Sequence, residues 1–279
     1  MTTLLLTELF KIAAKPRSYI GFVAITAIVL LIELALWLDG SAYIDFVLQS
    51  LEQSFSVQGN ILNGNLVAFI ILQTLIVQMP LLLALVSGDL VSGEAATGAI
   101  RLLLTKPYSR AQVLWAKFGA ASIYVFFLIL WLGLLALGGG LFLFGGGDLI
   151  VLKSDALVIL KGSDTLWRFF AAFGAAFLSL LVVATFALML SCFTDNSIGP
   201  IIASMSVIIL FTIIGTMEAP LFERITPYLF TTHMIVWRNL FDSTLDYALI
   251  LRSMMVLLGH TAVFLGVSFF HFSKKDILS

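Results

Sequence analysis

The chain has 279 residues, of which 61% are hydrophobic and 11% charged, and its mean hydropathy is +1.10. Soluble domains carry roughly a quarter charged residues, so an ordinary water-soluble fold is excluded, and apolar runs along nearly the whole chain imply one membrane domain over residues 1–279. Fifteen Lys and Arg against sixteen Asp and Glu give a formal net charge of −1 with no long block of one sign, which leaves nucleic acid no electrostatic footprint.

Cys192 stands alone, which excludes an intramolecular disulfide and a Cys-rich metal site; it reads as a small apolar residue at a helix end. His233, His260 and His271 are scattered, without the one-turn spacing that sets two metal ligands on one helical face.

In chain order, Leu5, Leu9 and Ile12 first form one helical stripe and Glu8, Lys11 and Lys15 another, until Pro16-Arg17 breaks the pattern. An amphipathic helix lying along the inner membrane surface is expected there. A spanning helix needs about 20 mainly apolar residues to cross roughly 30 Å of hydrocarbon. Six stretches qualify: Ser18 to Leu38, Leu66 to Ser87, Phe118 to Leu141, Phe169 to Leu190, Ile198 to Thr216 and Met254 to Phe272. The first is too long for the apolar part of a signal peptide, and Asp39-Gly40-Ser41-Ala42 offers no good cleavage site, so it is expected to stay as a helix. The fold class is therefore all-α and integral to the membrane.

An even number of spans puts both termini on one side. With that side cytoplasmic, Lys11, Lys15, Arg17, Arg101, Lys106, Arg110, Lys117, Lys274 and Lys275 lie inside, nine against six (Lys153, Lys161, Arg168, Arg224, Arg238, Arg252) outside. Positive charge near helix ends sets topology, so both termini are expected in the cytoplasm of a plasma membrane of the bacterial inner-membrane type. Outside, Met217 to Arg252 mixes Phe222, Tyr228, Phe230, Trp237 and Phe241 with charges, which predicts interfacial or re-entrant helices bent at Pro220 and Pro227. The clusters Gly138-Gly139-Gly140 and Gly145-Gly146-Gly147 suit flexibility or close helix packing.

Ionisable residues inside spans are functional candidates by default, which singles out Glu33 and His260. Glu33 lies within about two turns of the outer end, where it can snorkel to water or face a cavity. His260 suits hydrogen bonding across helices. Gln73, Gln78 and Pro80 in the second span suit packing, with a substrate path as the alternative.

The inner loop, residues 88–117, is too polar to span. Glu94, Thr97, Arg101 and Thr105 recur at helical spacing opposite Ala96, Ile100, Leu103 and Leu104, and Lys106-Pro107 ends the pattern. Ser109 with Gln112 forms a capping box that starts a second helix carrying Trp115 and Lys117. This segment resembles the inner loop of ABC-2-type permeases, in which an acidic residue and a glycine precede an apolar turn with paired leucines, a proline, a Ser-Arg pair and a lysine at the next span. Glu94, Gly98, Leu102, Leu103, Pro107, Ser109, Arg110 and Lys117 match. Six spans, a basic amphipathic start and the Lys274-Lys275-Asp276 ending extend the resemblance weakly over the chain.

The resemblance implies an exporter built from two six-span halves, a second copy or a paralogue completing the dimer, each half docked by this loop on a cytosolic ATPase. It gives Glu94, Thr97, Gly98, Arg101, Leu102, Leu103, Pro107, Ser109 and Arg110 a coupling role. ATP and Mg would be bound by the partner ATPase and no cofactor by this chain, in which no lysine follows a glycine and the Gly-Lys-Ser/Thr phosphate-binding core is absent. Ser191, Ser204 and Ser206 have no His or Asp at a telling distance, so a non-catalytic permease subunit is expected. The alternatives are a secondary transporter, which should show inverted repeats and midplane charges, and a non-transporting scaffold of a membrane complex. In a blander reading of the loop, Arg101, Lys106, Arg110 and Lys117 only rest on headgroups and set topology.

Overall fold

The computed structural model describes residues 1–48, 61–152, 157–217 and 219–275; Lys153 and Asp276, used above, lie outside them. The elements are α1 (Thr2–Ala14), α2 (Arg17–Leu48), α3 (Gly64–Ser87), the short α4 (Ser92–Ala96) and α5 (Ala99–Leu104), and α6 (Arg110–Gly133), which continues through a π-helical turn (Leu134–Gly139) into α7 (Gly140–Phe144). Strands β1 (Leu149–Leu152) and β2 (Leu157–Leu160) follow, then α8 (Gly162–Phe193), α9 (Ile198–Thr216), α10 (Pro220–Glu223), α11 (Phe230–His233) and α12 (Tyr247–Lys274), with 3-10 turns at Thr226–Tyr228 and Met234–Phe241.

Among the described residues six helices are long and apolar enough to cross a membrane. The fifth has the expected bounds, and α2 leaves helical geometry at Asp39 (φ −125°, ψ 19°), just past the expected end. The fourth starts well before Phe169, because α8 opens with polar turns that hydropathy does not register. Asp164 sits in the favourable first turn, and Arg168 pairs with it at 2.8 Å while donating to the carbonyls of Leu240 and Asp242 at 2.9 and 2.7 Å.

One short β-ribbon accompanies the helices. β1 and β2 pair antiparallel, Leu149 opposite Leu160 and Leu152 opposite Leu157. Leu149, Val151, Val158 and Leu160 are buried on one face while Ile159 is exposed, the period-two alternation of a half-buried ribbon.

The bundle is built around α8, of which 72% of the apolar window is buried, against 28% for the first span, 22% for the last and 17% for α9. Ala172, Ala175, Ala176, Ser179, Ala184 and Ala187 are buried along it, and side chains this small let neighbouring backbones approach closely. α12, α3, α6 and α9 all pack on it.

One end of the bundle gathers α1 and the last turn of α12. Arg110 Nη1 donates to the carbonyls of Phe272, Ser273 and Lys275 at 3.2, 3.1 and 2.6 Å, tying the start of α6 to the last turn of α12, where orphan carbonyls favour a cation. Lys275 Nζ in turn reaches Asp195 Oδ1 at 2.7 Å and the Cys192 carbonyl at 3.2 Å. The far end is joined through backbone. Asn63 caps α3 by accepting from the amides of Asn65 and Leu66, and its own amide donates to the Asp148 carbonyl at 2.8 Å. Gly64 N donates to the Gly145 carbonyl at 2.8 Å, and a Cβ at Gly64 would lie 2.5 Å from the Gly140 carbonyl group. Of the two readings of the glycine clusters, close packing therefore holds for Gly140.

Between α9 and α12 the chain turns back into the bundle. Phe230 packs against Phe186, Phe211 and Phe264, and Phe241 sits between Phe69 and Phe169. Pro220 opens α10 and Pro227 lies in the adjoining 3-10 turn, both at bends as their fixed φ favours.

Candidate functional site

The densest polar feature lies at the terminal end, where α1, the loop after α3 and the start of α6 meet. Lys117 is fully buried on α6 and Glu8 nearly so on α1. Lys117 Nζ donates to Glu8 Oε2 at 2.8 Å and to the Leu90 carbonyl at 2.7 Å, and pairs with Glu94 Oε2 at 2.8 Å. Lys11 Nζ donates to the other oxygen of each carboxylate, Glu8 Oε1 at 2.6 Å and Glu94 Oε1 at 2.7 Å. Two ammoniums and two carboxylates thus alternate in a closed, formally neutral ring. Burial pushes the Lys11 ammonium down, but hydrogen bonds and attraction from Glu8 and Glu94 outweigh it and hold the group above its ordinary value.

Beside the ring, Asp89 Oδ2 takes Lys15 at 2.6 Å and Arg17 at 2.7 Å. A Cβ at Gly93 would overlap the Asp89 carboxylate, so a side chain at 93 would have to displace it. α4 begins under a cap from α8: Ser191 Oγ accepts from the amides of Val91 and Ser92 at 3.1 and 2.9 Å, satisfying donors that a helix start leaves orphaned. Residues 88–96 are therefore fastened to α1, α6 and α8 at once.

These contacts revise the amphipathic reading of α1. Leu4, Glu8 and Ile12 face inward, toward α6, while Leu6 and Phe10 are 65% and 74% exposed. Glu8 leaves the expected polar face because Lys117 sits opposite and needs its charge balanced.

The single loop helix expected from Glu94 to Leu104 is also broken. Gly98 adopts φ 72°, a left-handed geometry that glycine allows and other residues resist, and it separates α4 from α5. Glu94 consequently does not share a face with Arg101. Thr97, Arg101, Leu102, Thr105, Pro107 and Ser109 are exposed, Leu102 by 72%, whereas Leu103 is buried and Gly98 half-buried. The capping box is present as expected: Ser109 Oγ accepts from the Gln112 amide at 3.2 Å and Gln112 Oε1 from the Ser109 amide at 2.9 Å. Arg110 clamps α12, and neither it nor Glu94 belongs to the exposed surface around Leu102.

The intramembrane candidates separate. Gln73 and Gln78 are exposed, with Thr74 and Val77 on the same face of α3. His260 Nδ1 is 2.9 Å from the Val256 carbonyl of its own helix, and its ring lies beside Phe230 and Phe264. Glu33 is buried, contrary to snorkelling. Cys192 is buried at the end of α8. Sequence reasoning did not single out Glu8, Lys11, Lys15, Arg17, Asp89 and Lys117 as one constellation. The available signal was that acidic residues at 8, 89 and 94 stand among basic ones at membrane-span ends, where lone basic residues would suffice for topology.

Fold and site together define a six-span helical membrane protein whose second loop is locked to its first helix by buried charge. A family described as a protein of unknown function, DUF2705, matches residues 24–278, and the chain belongs to that family. No curated protein matches it.

Proposed function

We propose that the chain is the membrane-spanning subunit of an ABC-2-type exporter, working with a separate cytosolic ATPase and a second copy or paralogue of itself. The observation that carries this reading is that the ion ring and the Ser191 cap fix residues 88–96 to α1, α6 and α8, while Thr97, Arg101, Leu102, Thr105 and Pro107 stand exposed beyond them. A partner pressing on a rigidly mounted tip can turn displacement into helix rotation, whereas a flexible loop would dissipate it. The terminal end is then cytoplasmic, α1 lies in the inner interface with Leu6 and Phe10 toward lipid, and the Phe230–Phe241 segment is re-entrant from outside. ATP and Mg belong to the partner, and no catalytic step is assigned to this chain.

The exposed face of α3 supports the dimer. Gln73 and Gln78 are polar groups in an otherwise apolar span, where lipid gives them no hydrogen-bond partner, and a second subunit or a solvated pathway between subunits does.

Affinity purification of the full chain from native membranes tests the reading. An ATP-hydrolysing protein should co-purify, and Leu102→Glu should release it while the permease stays folded. Transport by the isolated chain without such a partner would instead support a secondary carrier, and a stable complex without transport a scaffold.

A further inference from the structure

The π-helical turn Leu134–Gly139 interrupts the third span, and such turns recur where a helix is shaped for function. Glu33 of α2 projects onto it. The residue is 4% exposed, and its Oε1 is buried without a hydrogen-bond partner. A Cβ at Gly139 would lie 2.7 Å from that oxygen, so glycine at 139 makes the seat. On its other side the same turn contributes Leu134, Leu137 and Gly138 to an apolar cavity of about 720 Å³ between the third and fourth spans.

A carboxylate enclosed in this way costs several kcal/mol unless a cation, donors or a proton neutralises it. Of the elements packed on α2, α3 and the π turn with α7 carry no titratable side chain. α6 carries Arg110 and Lys117 at its terminal end, engaged by α12 and the ring, and Tyr124, whose hydroxyl donates to the Ser18 carbonyl at 2.8 Å. α1 carries Glu8 and Lys11, both in the ring. A hard metal cation needs several oxygen ligands, and among the described residues no group of three His, Cys, Asp or Glu could hold one.

We infer that Glu33 is an intramembrane proton-binding site: with α2 closed on the π turn its carboxyl holds a proton, and separation of the two, admitting water, releases it. The ligand is a proton rather than a metal ion, and the site is independent of the permease reading. Proton uptake is therefore linked to helix closure.

Infrared difference spectroscopy on the full chain in lipid nanodiscs at neutral pH reads the proton directly. The wild type minus Glu33→Gln spectrum should contain a carboxylic-acid C=O band that shifts in deuterated buffer, and Glu33→Gln, isosteric and neutral, should unfold within about 2 °C of wild type, roughly the shift that a 1 kcal/mol change produces in a chain of this length. If Glu33→Gln does not fold, Glu33→Asp replaces it, and the band should shift in frequency. A carboxylate band in the difference spectrum, or no carboxylic-acid band from folded protein, overturns the proposal.

Discussion

The loop joining α3 to α6 is made of two unlike halves. Residues 88–96 hold Asp89 and Glu94 out of water, each ion-paired to side chains from elsewhere in the chain. Residues 97–109 present Thr97, Leu102, Lys106 and Pro107 outward. The first half spends polar groups on position, and the second leaves Leu102 72% exposed. Buried charge pairs add little net stability but are expensive to break singly, which suits them to fixing geometry.

The largest effect should come from Lys117→Met. It leaves the Glu8 and Glu94 carboxylates close together and short of one cation, and should lower stability by about 3–5 kcal/mol, read as the unfolding midpoint in detergent. Adding Glu8→Gln should recover much of that loss, because Glu94 and Lys11 then remain as one neutral pair. Gly93→Ala should cost about 1–3 kcal/mol through overlap with Asp89. Gly98→Ala should cost about 1–2 kcal/mol for backbone geometry alone, since a Cβ there meets nothing within 4 Å. Leu102→Glu should stay within about 0.5 kcal/mol of wild type in stability and yet weaken partner binding by at least about tenfold, as loss of an interface anchor does. Equal destabilisation by Lys117→Met and Leu102→Glu would erase the distinction between the two halves.

Much of the fold is legible as hydropathy. Each expected span contains the apolar core of one long helix, and Ser109 and Gln112 announce their cap because both partners lie within one helical turn. Three features escape for physical reasons. α8 is longer than its apolar run because its first turns are satisfied by Asp164 and Arg168 rather than by lipid. The β1–β2 ribbon is too short and too uniformly apolar to be told from a helix end by periodicity. The ion ring depends on residues 8, 94 and 117, far apart in sequence, and only the Glu8–Lys11 pair has the spacing of a helical neighbour. Glu33 was recognisable as an intramembrane acid, but its burial follows from Gly139 on another helix. The Glu94 to Arg101 face fails because period alone does not say which way Gly98 will turn.

Photo-crosslinking in native membranes from a reactive residue placed at position 102 tests the central claim most directly, with the same probe at exposed Phe142 (88%) on the opposite end as the control. The account expects an adduct with an ATP-hydrolysing protein from position 102 and none from position 142. Adducts with lipid alone from position 102, in a chain that keeps its fold and its transport, would contradict it.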